Sequence, residues 1–204
     1  MNVVCAACGR YEACPDCSRR SHTYLDVNRS AVRYDDKMKE LLARYKYRGD
    51  ERLQTVMGGM LVHAWNQALA KQNAIESDTS VLQVITFVPV SERRFMERGF
   101  NQAEQMAREL GRRVGVPVIP LLQRVRHTDK QSFKKRSDRL DDLQHVFDVD
   151  EAGVLTCTRM RGSFSSVSLY IVDDVYTTGS TMHECAKVLK ARMAADCYGV
   201  TWAR

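Results

Sequence analysis

The sequence predicts an α/β fold, a central parallel sheet flanked by helices, preceded by a small N-terminal lobe built around four cysteines. Three observations carry this reading. Helical and strand patterns alternate along most of the 204 residues, which implies parallel strands joined by right-handed crossovers. Leu169-Tyr170-Ile171-Val172 runs straight into Asp173-Asp174, and an unbroken apolar run suits a strand buried on both faces. Cys5-x-x-Cys8 and Cys14-x-x-Cys17 lie within thirteen residues at the start of the chain. The division falls near residue 27, with a zinc ribbon or knuckle over 1–27 and the α/β domain over 28–204.

The elements follow in order. Two C-x-x-C turns can supply four thiolates to one tetrahedral zinc, and Gly9 and Pro15 suit the tight turns of such a knuckle. A redox dithiol is the rival, but it needs only one C-x-x-C. Ser30 to Tyr34 reads as a short strand, and Asp35 opens a helix with Met38, Leu41, Leu42 and Tyr45 on one face. Tyr47-Arg48-Gly49-Asp50 interrupts it, and a second helix carries Leu53, Val56, Met57, Met60, Leu61 and Ala64. Lys71 to Ser80 is polar and reads as a surface loop. Val81 to Val90 is β-rich and ends around Pro89, leading into the turn Pro89-Val90-Ser91. Asn101 is a candidate cap for an amphipathic helix bearing Ala103, Met106, Ala107, Leu110 and Val114. Gly115-Val116-Pro117 ends that helix, and Val118 to Leu122 is the next expected strand. Arg124 to Asp142 is polar and basic; Val146 to Val149 is a short strand; Thr156 to Ser166 reads as a loop. The strand at 169–172 and a last strand at Tyr198 to Trp202 complete the sheet.

The turn after the acid pair points to a ligand. Val175-Tyr176-Thr177-Thr178-Gly179-Ser180-Thr181 precedes a helix with Met182, Cys185, Ala186, Leu189 and Met193 on its apolar face. Free backbone N–H groups at a helix start bind phosphate favourably, glycine permits close approach, and hydroxyls add donors. Asp173 and Asp174 can accept from vicinal sugar hydroxyls. The constellation reads as a site for a phosphorylated ribose; an ordinary capped strand–turn–helix is the plainer alternative.

Charge is uneven. The formal net charge is +6, yet Arg93 to Arg139 holds thirteen Lys and Arg against five Asp and Glu. Such a segment favours polyanions, whether a pyrophosphate or a nucleic-acid backbone. No stretch approaches the eighteen or so apolar residues of a membrane span, and no basic n-region precedes an apolar core. The expectation is a cytoplasmic protein without membrane insertion. Cys157, Cys185 and Cys197 sit among apolar residues and read as small hydrophobes.

The string Leu169 to Thr181 resembles the 5-phosphoribosyl pyrophosphate (PRPP) signature of type I phosphoribosyltransferases. With Tyr47-Arg48-Gly49-Asp50, Phe87-Val88-Pro89-Val90-Ser91, Glu97-Arg98-Gly99-Phe100-Asn101-Gln102-Ala103, Lys130-Gln131-Ser132, Arg139 and the N-terminal cysteines, nearly the whole chain resembles the ComF (competence protein F) family. Asp142 stands where that family commonly has Asn. The resemblance implies a type I phosphoribosyltransferase fold with structural zinc on Cys5, Cys8, Cys14 and Cys17, and a role in DNA uptake during natural transformation. It implies that Asp173 and Asp174 contact the ribose 2′- and 3′-hydroxyls and that Thr177 to Thr181 wrap the 5′-phosphate, with Val175 and Tyr176 also in the PRPP-binding string. Pro89, Val90 and Ser91 would form the pyrophosphate loop, with Arg98 offering a guanidinium fork. The segment 124–139 would be the catalytic loop, with Arg126 and Lys130 as catalytic cations and Gln131 and Ser132 covering the diphosphate. Mg²⁺ would accompany PRPP, held largely by substrate oxygens and waters. Three roles stay open at this level: a phosphoribosyltransferase with an unknown acceptor, a PRPP sensor without turnover, and an adaptor for single-stranded DNA or a helicase-like competence protein. The single aromatic Phe133 in the basic segment ranks general strand binding below PRPP binding.

Overall fold

The computed structural model describes residues 5–48, 50, 52–75, 80–125 and 145–204. Its centre is a four-stranded sheet of β1 (Val27–Val32), β2 (Val81–Phe87), β5 (Ser166–Val175) and β6 (Asp196–Ala203), in the spatial order β1-β6-β5-β2. All three pairings are parallel: Val27 lies opposite Tyr198, Ser168 opposite Asp196 and Val81 opposite Ser166. The carboxyl ends of the strands therefore share one edge, the place where open α/β sheets bind ligands.

β5 shows why the apolar run of the sequence is central. Its residues alternate between two cores, Leu169 and Ile171 facing one and Tyr170 and Val172 the other. On the first face pack α6 (Glu151–Arg161), α7 (Ser180–Met193) and the cysteine lobe, bringing Cys157, Met182, Leu189, Cys8 and Leu25 to the sheet. The second face is covered by α2 (Asp36–Tyr47), α3 (Arg52–Ile75) and α5 (Gln102–Val114), with Tyr45, Met57, Leu61, Met106 and Leu110 fully buried. Tyr170 anchors that side, its ring 4.0 Å from Trp65 and 5.2 Å from Tyr198 between centroids.

Helix starts follow local chemistry. The Asp35 carboxylate accepts from the Met38 amide at 2.9 Å to begin α2, and Asn101 accepts from the Ala103 amide at 3.0 Å to begin α5. Ser91 caps the short α4 (Glu92–Arg98) through the Arg94 amide. Each satisfies a donor that the helix itself leaves free.

The structure differs from the sequence reading at several places. β1 begins at Val27 and ends at Val32 instead of spanning Ser30 to Tyr34, and Glu92–Arg98 forms a helix that the sequence reading lacks. α3 runs through Lys71 to Ile75 instead of giving way to a loop. Buried Gln72 holds this polar turn, donating to Ser168 Oγ at 2.9 Å and accepting from the Tyr170 hydroxyl. The expected strand at Val118 to Leu122 splits. Val118 bridges β2 beside Ile85, Pro120 has no N–H to continue a ladder, and β3 (Leu122–Arg124) instead pairs antiparallel with β4 (Phe147–Val149). Thr156 to Arg161 belongs to α6, not to a loop. The hydroxyls of Thr156 and Thr158 bond back to the carbonyls of Ala152 and Val154, both at 2.8 Å, so residues of poor helix propensity are accommodated.

Among the described glycines, Gly153 in α6 has the tightest surroundings. A Cβ there would lie 2.0 Å from the Pro120 carbonyl oxygen. Because the obstacle is backbone, Gly153→Ala must push α6 off the 117–121 segment. Overpacking of this kind costs about 1–3 kcal/mol, an expected fall in Tm of about 3–10 °C. Thermal unfolding of the variant checks it, and an unchanged Tm would mean that this contact is looser than described.

Candidate functional site

The acid pair sits at the carboxyl end of β5, in the middle of the sheet edge. Asp174 is buried; its Oδ2 accepts from Gln102 Nε2 at 3.1 Å and forms an ion pair with Lys46. Lys46 reaches it from the last turn of α2, and Gln102 from the first turn of α5. Asp173 turns its Oδ1 back to accept from the Asp174 amide at 2.8 Å. Burial, and then the charge on Asp174, push the Asp173 carboxyl well above the usual carboxylate range, with Lys46 and Arg94 opposing. Two carboxylates side by side at a strand end thus face cations from α2 and α4, Lys46 and Arg94, and an amide donor from α5, Gln102.

Beyond them the backbone leaves the sheet. The Tyr176 amide donates to the Ala203 carbonyl at 2.9 Å, and its ring turns into the core. Thr177 is exposed, while Thr178, Ser180 and Thr181 are half-buried. Thr178 Oγ1 and Ser180 Oγ lie 2.8 Å apart. Gly179 takes φ +84°, a left-handed conformation that glycine adopts freely. It also makes room, since a Cβ there would lie 2.1 Å from the Tyr176 hydroxyl oxygen. α7 begins at Ser180 with no side chain on its N-cap; the Ser180 amide makes a long contact to Thr178 Oγ1 at 3.4 Å, and the amides of its first turn face the side where an anion binds favourably.

β2 delivers the neighbouring turn. The Val88 amide donates to the Val172 carbonyl at 3.0 Å, so half-buried Pro89, Val90 and Ser91 lie beside the end of β5. Arg98 joins the cluster indirectly. Its Nη1 donates to Gln102 Oε1 at 3.0 Å and its Nη2 to the Tyr47 hydroxyl at 3.1 Å, and Gln102 passes on to Asp174. Arg126, Lys130, Gln131 and Ser132 lie outside the described residues. Sequence reasoning missed Lys46, Arg94 and Gln102. Their only signal was adjacency to blocks already singled out, because no spacing links residue 46 or 102 to residue 174.

The four cysteines of the lobe converge. Their Sγ atoms all lie within 4.8 Å of one another, with Cys8 and Cys14 3.5 Å apart. Zinc at about 2.3 Å from each of four thiolates requires S···S separations of about 3.8 Å, so the donor set fits a structural zinc site. The first knuckle is fixed to β1: the Asn28 amide donates to the Ala7 carbonyl at 2.7 Å, and Arg29 Nη1 donates to the Ala6 carbonyl at 3.1 Å. Against the upward push of burial, the Cys17 amide, the neighbouring thiols and the Arg204 guanidinium hold the Cys14 thiol below its ordinary value, which favours the ligating thiolate. Cys157, Cys185 and Cys197 are buried as expected of small hydrophobes. Elemental analysis of the purified chain should return one zinc per molecule. Cys5→Ser with Cys8→Ser should release it and lower Tm, since metal binding energy is folding energy in so small a lobe. A zinc-free wild-type protein of equal stability would overturn that assignment.

Among the described residues no helix is long and apolar enough to cross a membrane. No protein-family model matches the chain. Curated relatives do. The chain is 31% identical over 195 residues to competence protein ComFC of Bacillus subtilis, covering 91% of this chain and 71% of that one. It is 28% identical to competence protein ComFC of Streptococcus pneumoniae over 90% of this chain and 71% of the relative. With competence protein F of Haemophilus influenzae the identity is 26% over 91% of this chain and 78% of the relative. An α/β fold on a parallel sheet, a four-cysteine centre and relatives matched along nine-tenths of its length identify the chain as a member of the ComF family.

Proposed function

We propose that the sheet edge at β5 binds PRPP with Mg²⁺ and that the protein acts in DNA uptake, in the cytoplasm. The observation that carries the first part is the sequence of devices along one strand end. Hydrogen-bonded carboxylates, half-buried at Asp173 and buried at Asp174, are followed within six residues by a left-handed glycine and an uncapped helix start. Carboxylates accept from two vicinal hydroxyls of one sugar, and free amides bind the 5′-phosphate of the same sugar. Lys46, Arg94 and Arg98 surround the acids with positive charge, suited to a leaving pyrophosphate. The donor set also fits Mg²⁺, which would be held by diphosphate and ribose oxygens near the carboxylates and would neutralise charge on the diphosphate. Transfer of the phosphoribosyl group to an acceptor is the extended form of this reading, with Arg126 and Lys130 as its catalytic cations and Gln131 and Ser132 as diphosphate contacts.

The DNA-uptake part rests on the relatives, which are named as competence proteins. Their names also favour a second reading, an adaptor that binds single-stranded DNA or a helicase-like partner through the basic segment. Calorimetric titration of PRPP with Mg²⁺ into the zinc-loaded protein separates the two. Saturable binding supports the PRPP pocket; no heat from a folded, loaded protein would leave the adaptor as the account.

A further inference from the structure

The cysteine centre and the phosphate turn are in contact, and each cysteine of the second C-x-x-C reaches the turn through one guanidinium. Arg20 lies three residues past Cys17. Its amide donates to the Cys17 carbonyl at 3.3 Å, and its Nη2 donates to the Thr178 carbonyl at 2.9 Å. The same strap docks on α7 where the Tyr24 amide donates to His183 Nδ1 at 3.3 Å. From the other side, Arg204 Nη2 points to Cys14 Sγ at 3.4 Å while its Cζ lies 4.5 Å from the centroid of the Tyr176 ring. That ring fills the space Gly179 leaves open. Arg20 Nε, Arg204 Nε and Arg204 Nη1 are buried without hydrogen-bond partners, and among the described residues no carboxylate pairs with either arginine.

We infer that Arg20 and Arg204 are positioning residues that tie the geometry of the four-cysteine centre to that of the phosphate turn, so that filling the centre with metal orders the turn for its anion. The inference rests on the ribose-phosphate reading and adds a regulatory input to that site. Both arginines are half-buried, and with these nitrogens already buried and unpaired the contacts they keep weigh more. Emptying the centre frees the knuckle that carries Arg20 and loosens the Cys14 side chain on which Arg204 Nη2 rests. The Thr178 carbonyl and the Tyr176 ring then lose their anchors, and an incoming phosphate must order amides that were already ordered before. Linkage makes the effect reciprocal: bound ribose phosphate tightens metal binding by the same factor.

The test is hydrogen exchange of the full chain, zinc-loaded and chelator-stripped, read at the amides of Thr177 to Thr181, with ribose 5-phosphate affinity measured on the same samples. Stripping should speed exchange at the turn by roughly tenfold and weaken ribose 5-phosphate by a similar factor, the ordinary scale of coupling between sites. The zinc-loaded Arg20→Ala/Arg204→Ala variant should show the same faster exchange with its metal content intact, and Arg20→Lys should restore part of the protection. Equal exchange in loaded and stripped wild type, or a loaded double variant that matches loaded wild type, would overturn the inference. If the stripped chain unfolds, the loaded variants decide. Should ribose 5-phosphate fail to bind the loaded wild type while exchange responds as expected, the ribose-phosphate reading falls and the coupling stands.

Discussion

Asp173→Asn together with Asp174→Asn lowers PRPP affinity by about a hundredfold or more, the expected loss when two hydrogen bonds to charged acceptors are weakened at once. The single variants should part company on stability. Asp174 is engaged with Lys46 and Gln102, so Asp174→Asn leaves a largely buried ammonium without its counter-charge and lowers Tm. Asp173 is held in a setting that disfavours its charge. A carboxyl with a raised folded pKa binds more protons folded than unfolded, so its presence costs stability as pH climbs above the ordinary 3.8 toward the raised folded value. Asn mimics the protonated acid and still accepts from the Asp174 amide. Asp173→Asn should therefore raise Tm at neutral pH, with the gain shrinking as pH falls toward 4, while PRPP binding is lost. Thermal unfolding across pH beside calorimetry reads both effects. A stabilised variant with undiminished PRPP affinity would remove Asp173 from the site.

Gly179→Ala is the second large effect. Alanine at φ +84° carries a left-handed penalty of about 1–2 kcal/mol, and its Cβ would meet the Tyr176 hydroxyl oxygen at 2.1 Å and ring carbon Cζ at 2.3 Å. Tyr176 has little room to yield, being buried among Cys8, Cys14 and Met182 with Arg204 over its face. The turn must open instead, swinging the amides of Ser180 and Thr181 away from the anion. Roughly tenfold weaker PRPP binding and a Tm lower by several degrees are expected. Wild-type affinity in this variant, measured by the same titration, would mean that these amides do not carry the phosphate.

The parts of this site that are local in sequence were legible before any coordinates. Leu169 to Val172 announced a central strand because only apolar residues survive burial on both faces, and Gly179 announced a tight turn. Asn101 and the four cysteines were equally readable, as each needs only a handful of neighbours to define its role. What escaped was long-range or compensated locally. Lys46 meets Asp174 because two helices converge on one strand end, and Arg20 meets Thr178 across 158 positions. The last turn of α3 looked like a loop because its polar residues gave no sign that Gln72 would be buried against Tyr170. α6 looked irregular because Thr156 and Thr158 disfavour helix until their hydroxyls find carbonyls one turn back.

The sheet order has a kinetic consequence. β1 pairs only with β6 among the four central strands, so the earliest of these four to be synthesised waits for the latest of them. Until residues 196–203 emerge, β5 keeps an open edge and apolar side chains on both sides, the kind of surface that captures other unfinished chains. Ala203, the last residue of β6, and Arg204 after it tether Tyr176, Tyr34 and Cys14. Folding of this protein is thus dominated by contacts of high sequence separation, which slow the search, and premature chain termination anywhere before β6 should yield aggregate in place of a partly working pocket.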